Sequence, residues 1–412
     1  MAKRLPTKPQ LRDLSPRWIQ RQDGVFLHLE DDLGIAQTAV QIPQNLTPIL
    51  LLCDGTRTIE SINGGLLLQG ISIGEERISN LLEQLDDALL LENGKYAAEK
   101  NKALQKYRRS ENRPMSFAGT IYPAIISDLD LFITESKSRF ESSDKSEKYH
   151  GDIQGLLSPH IDFARGYSTY AELWKESEGL LDEIEQVIIL GTDHNGGLGS
   201  ITPTKQNYQT PYSSLETDLD GIKLLESAIV GRDPFNEELH HVKEHSIELA
   251  LIWLHNALGG RSFKLLPILC GSFQKFLVDK QQPKEDETIN NVIDALTEYR
   301  KRSRTLVVAA GDLAHMGPEF GDAAPMNELA LADLASKDHI SLSAIEKGNP
   351  DEFFNTSAEE SDARKICGLT PIYLMGKVLD GCKGYSVGYD QCPADQQNTS
   401  VVSIAGTLLF GD

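Results

Sequence analysis

Residues 305–317 read TLVVAAGDLAHMG, an apolar run that stops at a glycine and is followed at once by Asp312 and His315. Apolar residues without polar alternation predict a strand buried on both faces, the kind found in parallel sheets. The same texture recurs in LLSPHID (156–162), VIILGTDHNG (187–196) and LPILCGSF (266–273). Between these runs lie helix-like stretches at 168–184, 243–258 and 287–302, with another beyond them at 326–348. This alternation predicts an α/β fold with a largely parallel sheet flanked by helices, beginning at about residue 116.

Three of the four predicted strands end on titratable residues: His160, His194, and Asp312 with His315. In open α/β sheets the carboxyl ends of the strands are where loops converge on ligands. A single loop histidine is more often bonded to backbone than to a ligand. Three in one strand-end context favour a shared cleft, although nearby glycines such as Gly191, Gly196 and Gly311 also suit ordinary turns. On KEHSIELALIWL, Glu244 and Glu248 are four residues apart and His245 and Glu248 three apart, so their side chains can meet on one helix face. The HExxH spacing of a zinc protease is absent there, which leaves Glu248 and His245 to support or bind a cofactor, or to be the polar side of an amphipathic helix. Cys367, in ICGLTP, stands just before a predicted helix start, where the helix dipole favours thiolate. Its plainer reading is a small buried core residue.

The bulk properties set limits. A chain of 412 residues is long for one core and predicts two domains. The formal charge of −21 and the lack of a strong basic block argue against nucleic acid as a partner. No run is long and apolar enough for a membrane, and the N-terminus lacks the apolar centre of a secretory signal, so a cytoplasmic protein is expected. Five scattered cysteines without CxxC predict free thiols or a metal ligand in place of disulfides. Residues 1–100 have a separate character: short strands at 24–32 and 35–42, helices in 46–62 and 76–92, then an Asn-Gly turn and a strand in NGKYAAE (93–99). That order predicts a small winged-helix domain, followed over 101–115 by a polar linker or, in its place, a solvated helix.

The N-terminal order, with LLLCDGTRTIESI and LLEQLDDALLLENGKY, resembles the PqqD-like domains, which implies leader-peptide binding; a generic winged helix for docking is the alternative. From 116 to 412, the ordered set LLSPHIDFARGYSTY, VIILGTDHNG, EHSIELALIWL, LPILCGSF, VVAAGDLAHMG and ICGLTP resembles the Memo family, called protein B of the AmmeMemoRadiSam system in prokaryotes. That family is similar in structure to class III extradiol dioxygenases. The resemblance implies a metal cleft holding His160, His194 and Cys367, with Asp312 and His315 in the catalytic positions. The loop PHIDFARGY departs from the usual PHAGY, Asp193 stands where a small residue is usual, and Leu369 replaces a common arginine. These changes bear on substrate more than on metal.

Two imidazoles, one anionic ligand and open positions suit Fe(II) and oxygen chemistry, giving a dioxygenase-like non-haem oxidoreductase acting on a small molecule or peptide. His315 would then move a proton, and Asp312 or Glu248 would orient it or a ligand histidine. A thiolate also makes Cu(I) or Zn(II) credible, so copper binding without turnover stays open. A metal-free hydrolase using Cys367, His315 and Asp312 stays open too, as does an inactive scaffold for a radical-SAM partner.

Overall fold

The computed structural model describes residues 5–14, 16–36, 38–141 and 151–411. The expected strand at 35–42 includes Gln37, which lies outside these residues. The chain divides into two compact units, residues 1–109 and 110–412. Among the described residues no helix is long and apolar enough to cross a membrane.

The first unit contains an antiparallel sheet in the order β1 (Arg17–Arg21), β2 (Gly24–Leu29), β3 (Val40–Pro43). Helices α1 (Pro48–Leu51), α2 (Ile59–Leu68), α3 (Glu75–Asp87) and α4 (Gly94–Arg109) follow. Thr58 caps α2 by accepting from Ser61 N. On α3 the residues Ile78, Leu81, Leu82 and Leu85 repeat at helical spacing and close a core with Leu29, Ile42, Ile62 and Leu90. The strand expected in NGKYAAE is not formed. Asn93 Oδ1 instead accepts from Lys95 N (2.9 Å) and Tyr96 N (3.0 Å), so the Asn-Gly pair opens α4 instead of a hairpin. Among the described residues no wing follows α3. Of the two readings of 101–115, linker and solvated helix, the helix is formed as far as Arg109, and Arg113 beyond it is buried.

The second unit begins with β4 (Asn112–Arg113), α5 (Ile126–Lys137), β5 (Asp152–Ser158), α6 (Phe163–Glu176), β6 (Gln186–Thr192) and β7 (Ile201–Pro203). It continues through β8 (Asn207–Gln209), β9 (Ser214–Leu215), α7 (Leu219–Ala228), α8 (Ser246–Ala257), β10 (Lys264–Cys270), α9 (Gln274–Asp279) and α10 (Glu287–Arg300). It ends with β11 (Thr305–Ala310), β12 (His315–Met316), α11 (Glu328–Glu346), α12 (Pro350–Glu359), α13 (Leu369–Val378), β13 (Lys383–Pro393) and β14 (Val401–Gly411). The main sheet runs β12-β14-β5-β11-β6-β10-β7, with β13 paired to β14.

Within the main sheet, among the described residues, only the central β5-β11-β6-β10 block is parallel. β7, β12, β13 and β14 pair antiparallel, so the sheet is mixed and the expected largely parallel sheet is corrected. The C-terminal hairpin β13–β14 closes onto β5 and supplies half of the antiparallel strands. Side chains alternate across the sheet as strand geometry requires. On β11, Val307 and Ala309 enter the core shared with α7, α10 and α13. Leu306, Val308 and Ala310 enter the core shared with α5, α6 and α8.

Candidate metal centre

Ala310 of β11 lies opposite Ser158 of β5 on one side and Gly191 of β6 on the other. The three strands therefore release their chains along one edge of the sheet, which carries His160, Asp312 and His194 to neighbouring positions. Asp312 ties the first turn together: its Oδ1 accepts from His160 N (2.8 Å) and Ile161 N (3.3 Å). His160 Nδ1 faces Ala310 O at 3.1 Å. The carbonyl can only accept, so Nδ1 carries a proton and Nε2 is the nitrogen turned to the cleft. Nε2 lies 3.4 Å from Cys367 Sγ.

Cys367 reaches this edge because two glycines let α13 start against the end of β11. Gly368 N donates to Asp312 O at 3.0 Å, and a Cβ on Gly368 would lie 2.6 Å from that same oxygen. A Cβ on Gly311 would lie 2.7 Å from Gly368 Cα. No side chain fits in the seam.

His194 is oriented by Glu244, whose Oε2 accepts from His194 N (3.1 Å) and faces His194 Nδ1 (2.9 Å). The other oxygen of this buried carboxylate accepts from Ser246 N (2.9 Å) and lies 3.2 Å from His245 Nδ1. The His160 and His194 rings meet edge to face, with centroids 5.1 Å apart. His245 stacks on His194 at 5.0 Å and touches His160 at 5.2 Å, walling one side of the cleft. One ligand atom from each of His160, His194 and Cys367 lies within 4.8 Å of the other two.

The electrostatics follow from this crowding. Burial raises the Cys367 thiol, but His160, His315 and hydrogen bonds from His160 and His194 outweigh it and bring the pKa down to about 5. Burial disfavours charge on His160, yet Asp312 and the Cys367 sulfur bring it up to about 9. His194 is held well above the usual imidazole range, against its burial, by Glu244 and Cys367. Glu244 is held well below the usual carboxylate range, against its burial, by His194 and His245. His245 behaves oppositely. Burial, helped by repulsion from His194 and His160, depresses it to about 4 despite Glu244, so it is neutral at pH 7.

The donors fit a first-row metal ion. Each imidazole has its Nδ1 engaged by the protein, so a metal that displaced the Nε2 proton would meet the arrangement usual for metal-bound histidine. For a tetrahedral ion, bonds of the usual length would hold nitrogen and sulfur about 3.5 Å apart, and the observed Nε2–Sγ separation is 3.4 Å. The chain's low-pKa sulfur supplies an anionic ligand.

One expected role is corrected. Glu248 does not orient a site histidine. Its Oε2 pairs with buried Arg113 and accepts from Ser116 N, while Oε1 accepts from Phe117 N and from Tyr122 Oη at 2.6 Å, clamping the start of this unit to α8. Asp312 binds the His160 turn, and its Oδ2 lies 3.7 Å from His160 Nε2, on the cleft side of the ring; the Nδ1 atoms of His160 and His194 are taken by Ala310 O and Glu244. His315 is half-buried, with Nδ1 3.3 Å from Leu313 O and its ring edge-on to Phe320. Of the two glutamates named on KEHSIELALIWL, the one that orients a site histidine is Glu244. It sits two residues before α8 and is aimed by a turn, so helical spacing could not single it out over Glu248.

Comparison with known proteins agrees with the ordered motifs. A family model described as "Memo-like protein" matches residues 113–408. A MEMO1 family protein of Aquifex aeolicus is 24% identical over 413 residues, covering 98% of this chain and 100% of its own length. A MEMO1 family protein of Thermus thermophilus is 24% identical over 330 residues, with 78% and 93% covered. A memo-1 homolog of Caenorhabditis elegans is 28% identical over 276 residues, with 64% and 70% covered. With the family model spanning most of its length, the chain belongs to the Memo-like protein family.

Proposed function

We propose that the protein binds one first-row metal ion through His160, His194 and Cys367 and acts as a dioxygenase-like oxidoreductase on a small molecule or peptide, with Fe(II) the leading ion and Cu or Zn the alternatives. The observation that carries this reading is the convergence of three donor atoms from three distant segments, each with its partner already in place. The ion, when bound, would supply redox and Lewis-acid chemistry at the cleft. The chain's own residues do the rest. Ala310 O and Glu244 fix the ligand rings, neutral His245 lines the cleft, and His315, whose charge is felt at Cys367, would move a proton.

The depressed Cys367 pKa supports a second reading, in which a thiolate beside His160 is a nucleophile and no metal is needed. Alkylation separates the two. Metal-free protein should react quickly with iodoacetamide at Cys367, and Fe(II) or Zn(II) should protect it. Equal labelling rates with and without metal would reject the ligand role and favour the nucleophile. The first unit is proposed as a docking module for a peptide or for a radical-SAM partner. Binding of either that survives removal of residues 1–109 would exclude that role.

A further inference from the structure

We infer that the protein carries a second divalent-cation site, formed by Asp193, Glu237 and His240, beyond the proposed His160–His194–Cys367 centre. Successive residues at a strand end point to opposite sides. At the tip of β6, His194 turns toward Glu244, whereas Asp193 turns the other way, where its two oxygens face His240 Nδ1 at 3.0 and 3.2 Å. One ligand atom from each of Asp193, Glu237 and His240 lies within 4.8 Å of the other two. The Asp193 side chain is fully enclosed and that of His240 is 8% exposed, while Glu237 is half-buried.

The loop after β6 wraps these carboxylates closely. A Cβ on Gly196 would lie 2.6 Å from Asp193 Oδ2, and one on Gly197 would lie 2.9 Å from Glu237 Oε1. Asn195 N donates to Asp193 Oδ1 (3.1 Å), and Gly197 N to both oxygens of Glu237 (3.2 Å each). A cavity of about 270 Å³, lined in part by Ser200, Asn236 and Glu237, gives the Glu237 side a path from solvent.

The chemistry of the donors selects the ion. Two carboxylates and one imidazole, with no sulfur, suit Zn(II), Mn(II) or Co(II) and disfavour Cu(I). Ligands bound to a common ion at usual lengths stand about 3.0 to 3.4 Å apart, and His240 Nδ1 already stands 3.0 Å from Asp193 Oδ2. The enclosed Asp193 carboxylate and the half-buried Glu237 would supply negative charge to a divalent ion, beside the Arg232 that lines the same cavity. The ion would also brace the first centre. Glu244 N donates to His240 O at 3.0 Å, so the turn that presents Glu244 to His194 is anchored on the second cluster.

Cobalt titration of metal-free, full-length protein tests this. The wild type should bind two equivalents of Co(II), one of them giving a near-ultraviolet thiolate band. A His160→Ala, Cys367→Ser double variant should lose that band and keep one equivalent at micromolar Co(II), with visible bands only. Adding Asp193→Asn or Glu237→Gln to the double variant should weaken the remaining equivalent by more than about 100-fold, beyond the usual effect of losing an outer partner. The half-buried Glu237 keeps the test usable if the Asp193 change unfolds the chain. A double variant that holds no Co(II), or that keeps it after both added changes, overturns the site and leaves Asp193–His240 as an ion pair only. Should the wild type lack the thiolate band while the double variant retains its equivalent, the first centre fails and this one stands.

Discussion

Two glutamates four residues apart do different work. Glu244 touches His194 and His245, whereas Glu248 is spent on Arg113, Tyr122 and the backbone of Ser116 and Phe117. Glu244→Gln should therefore weaken metal binding about 10- to 100-fold with little change in melting temperature. Glu248→Ala strands the buried Arg113 charge and should cost about 3 to 5 kcal/mol of stability, with metal stoichiometry unchanged in the folded fraction. Equilibrium dialysis and thermal melts read the two effects separately, and an exchange of the two phenotypes would refute the assignment. A third carboxylate tests the electrostatics away from the site. Burial raises Asp362 from 3.8 to about 6, opposing the hydrogen bond from Ile366. A raised folded pKa means that its contribution is most favourable below pH 3.8 and is lost as pH rises through 6. Asp362→Asn should then stabilise the protein by up to about 2 kcal/mol at pH 7.5 and by nothing near pH 3.5. Asparagine also tolerates the left-handed backbone there, φ 60°. Equal effects at both pH values would show that burial is not the cause.

Elements explain why some of this was legible and some was not. The parallel strands β5, β6, β10 and β11 announce themselves because buried strands are runs of apolar residues, and their ends locate His160, His194 and Asp312. The hairpin β13–β14 was missed: the glycines and polar residues of β13, as in GYSVGYDQCP, blur the pattern, and although β14 is a mostly apolar run, its place beside β5 depends on pairing across more than 240 residues. NGKY illustrates the converse. The dipeptide that suits a hairpin turn also suits a helix start, and only the Asn93 hydrogen bonds decide. The seam between β11 and α13 could not be read from sequence at all, because Gly311 and Gly368 matter through each other. Gly368→Ala should push Cys367 away from His160, so metal affinity should fall sharply while far-UV circular dichroism stays native. Unchanged affinity would mean that the seam does not set the sulfur position.

At the scale of the molecule, the two units hold separate cores. The apolar cluster of Leu29, Ile62 and Leu82 lies wholly within residues 1–109, and the clusters on both faces of the main sheet lie within 110–412. Residues 110–412 expressed alone should fold and bind the same amount of metal as the full chain; an aggregated or metal-free product would show that the first unit is needed for the site. The central claim is that His160, His194 and Cys367 hold one ion together. Elemental analysis of anaerobically purified protein, beside His194→Ala and Cys367→Ser variants of equal folded content, addresses it most directly. The difference between wild type and each variant is the readout. The account predicts that each variant loses one equivalent of metal, and undiminished metal in both would contradict it.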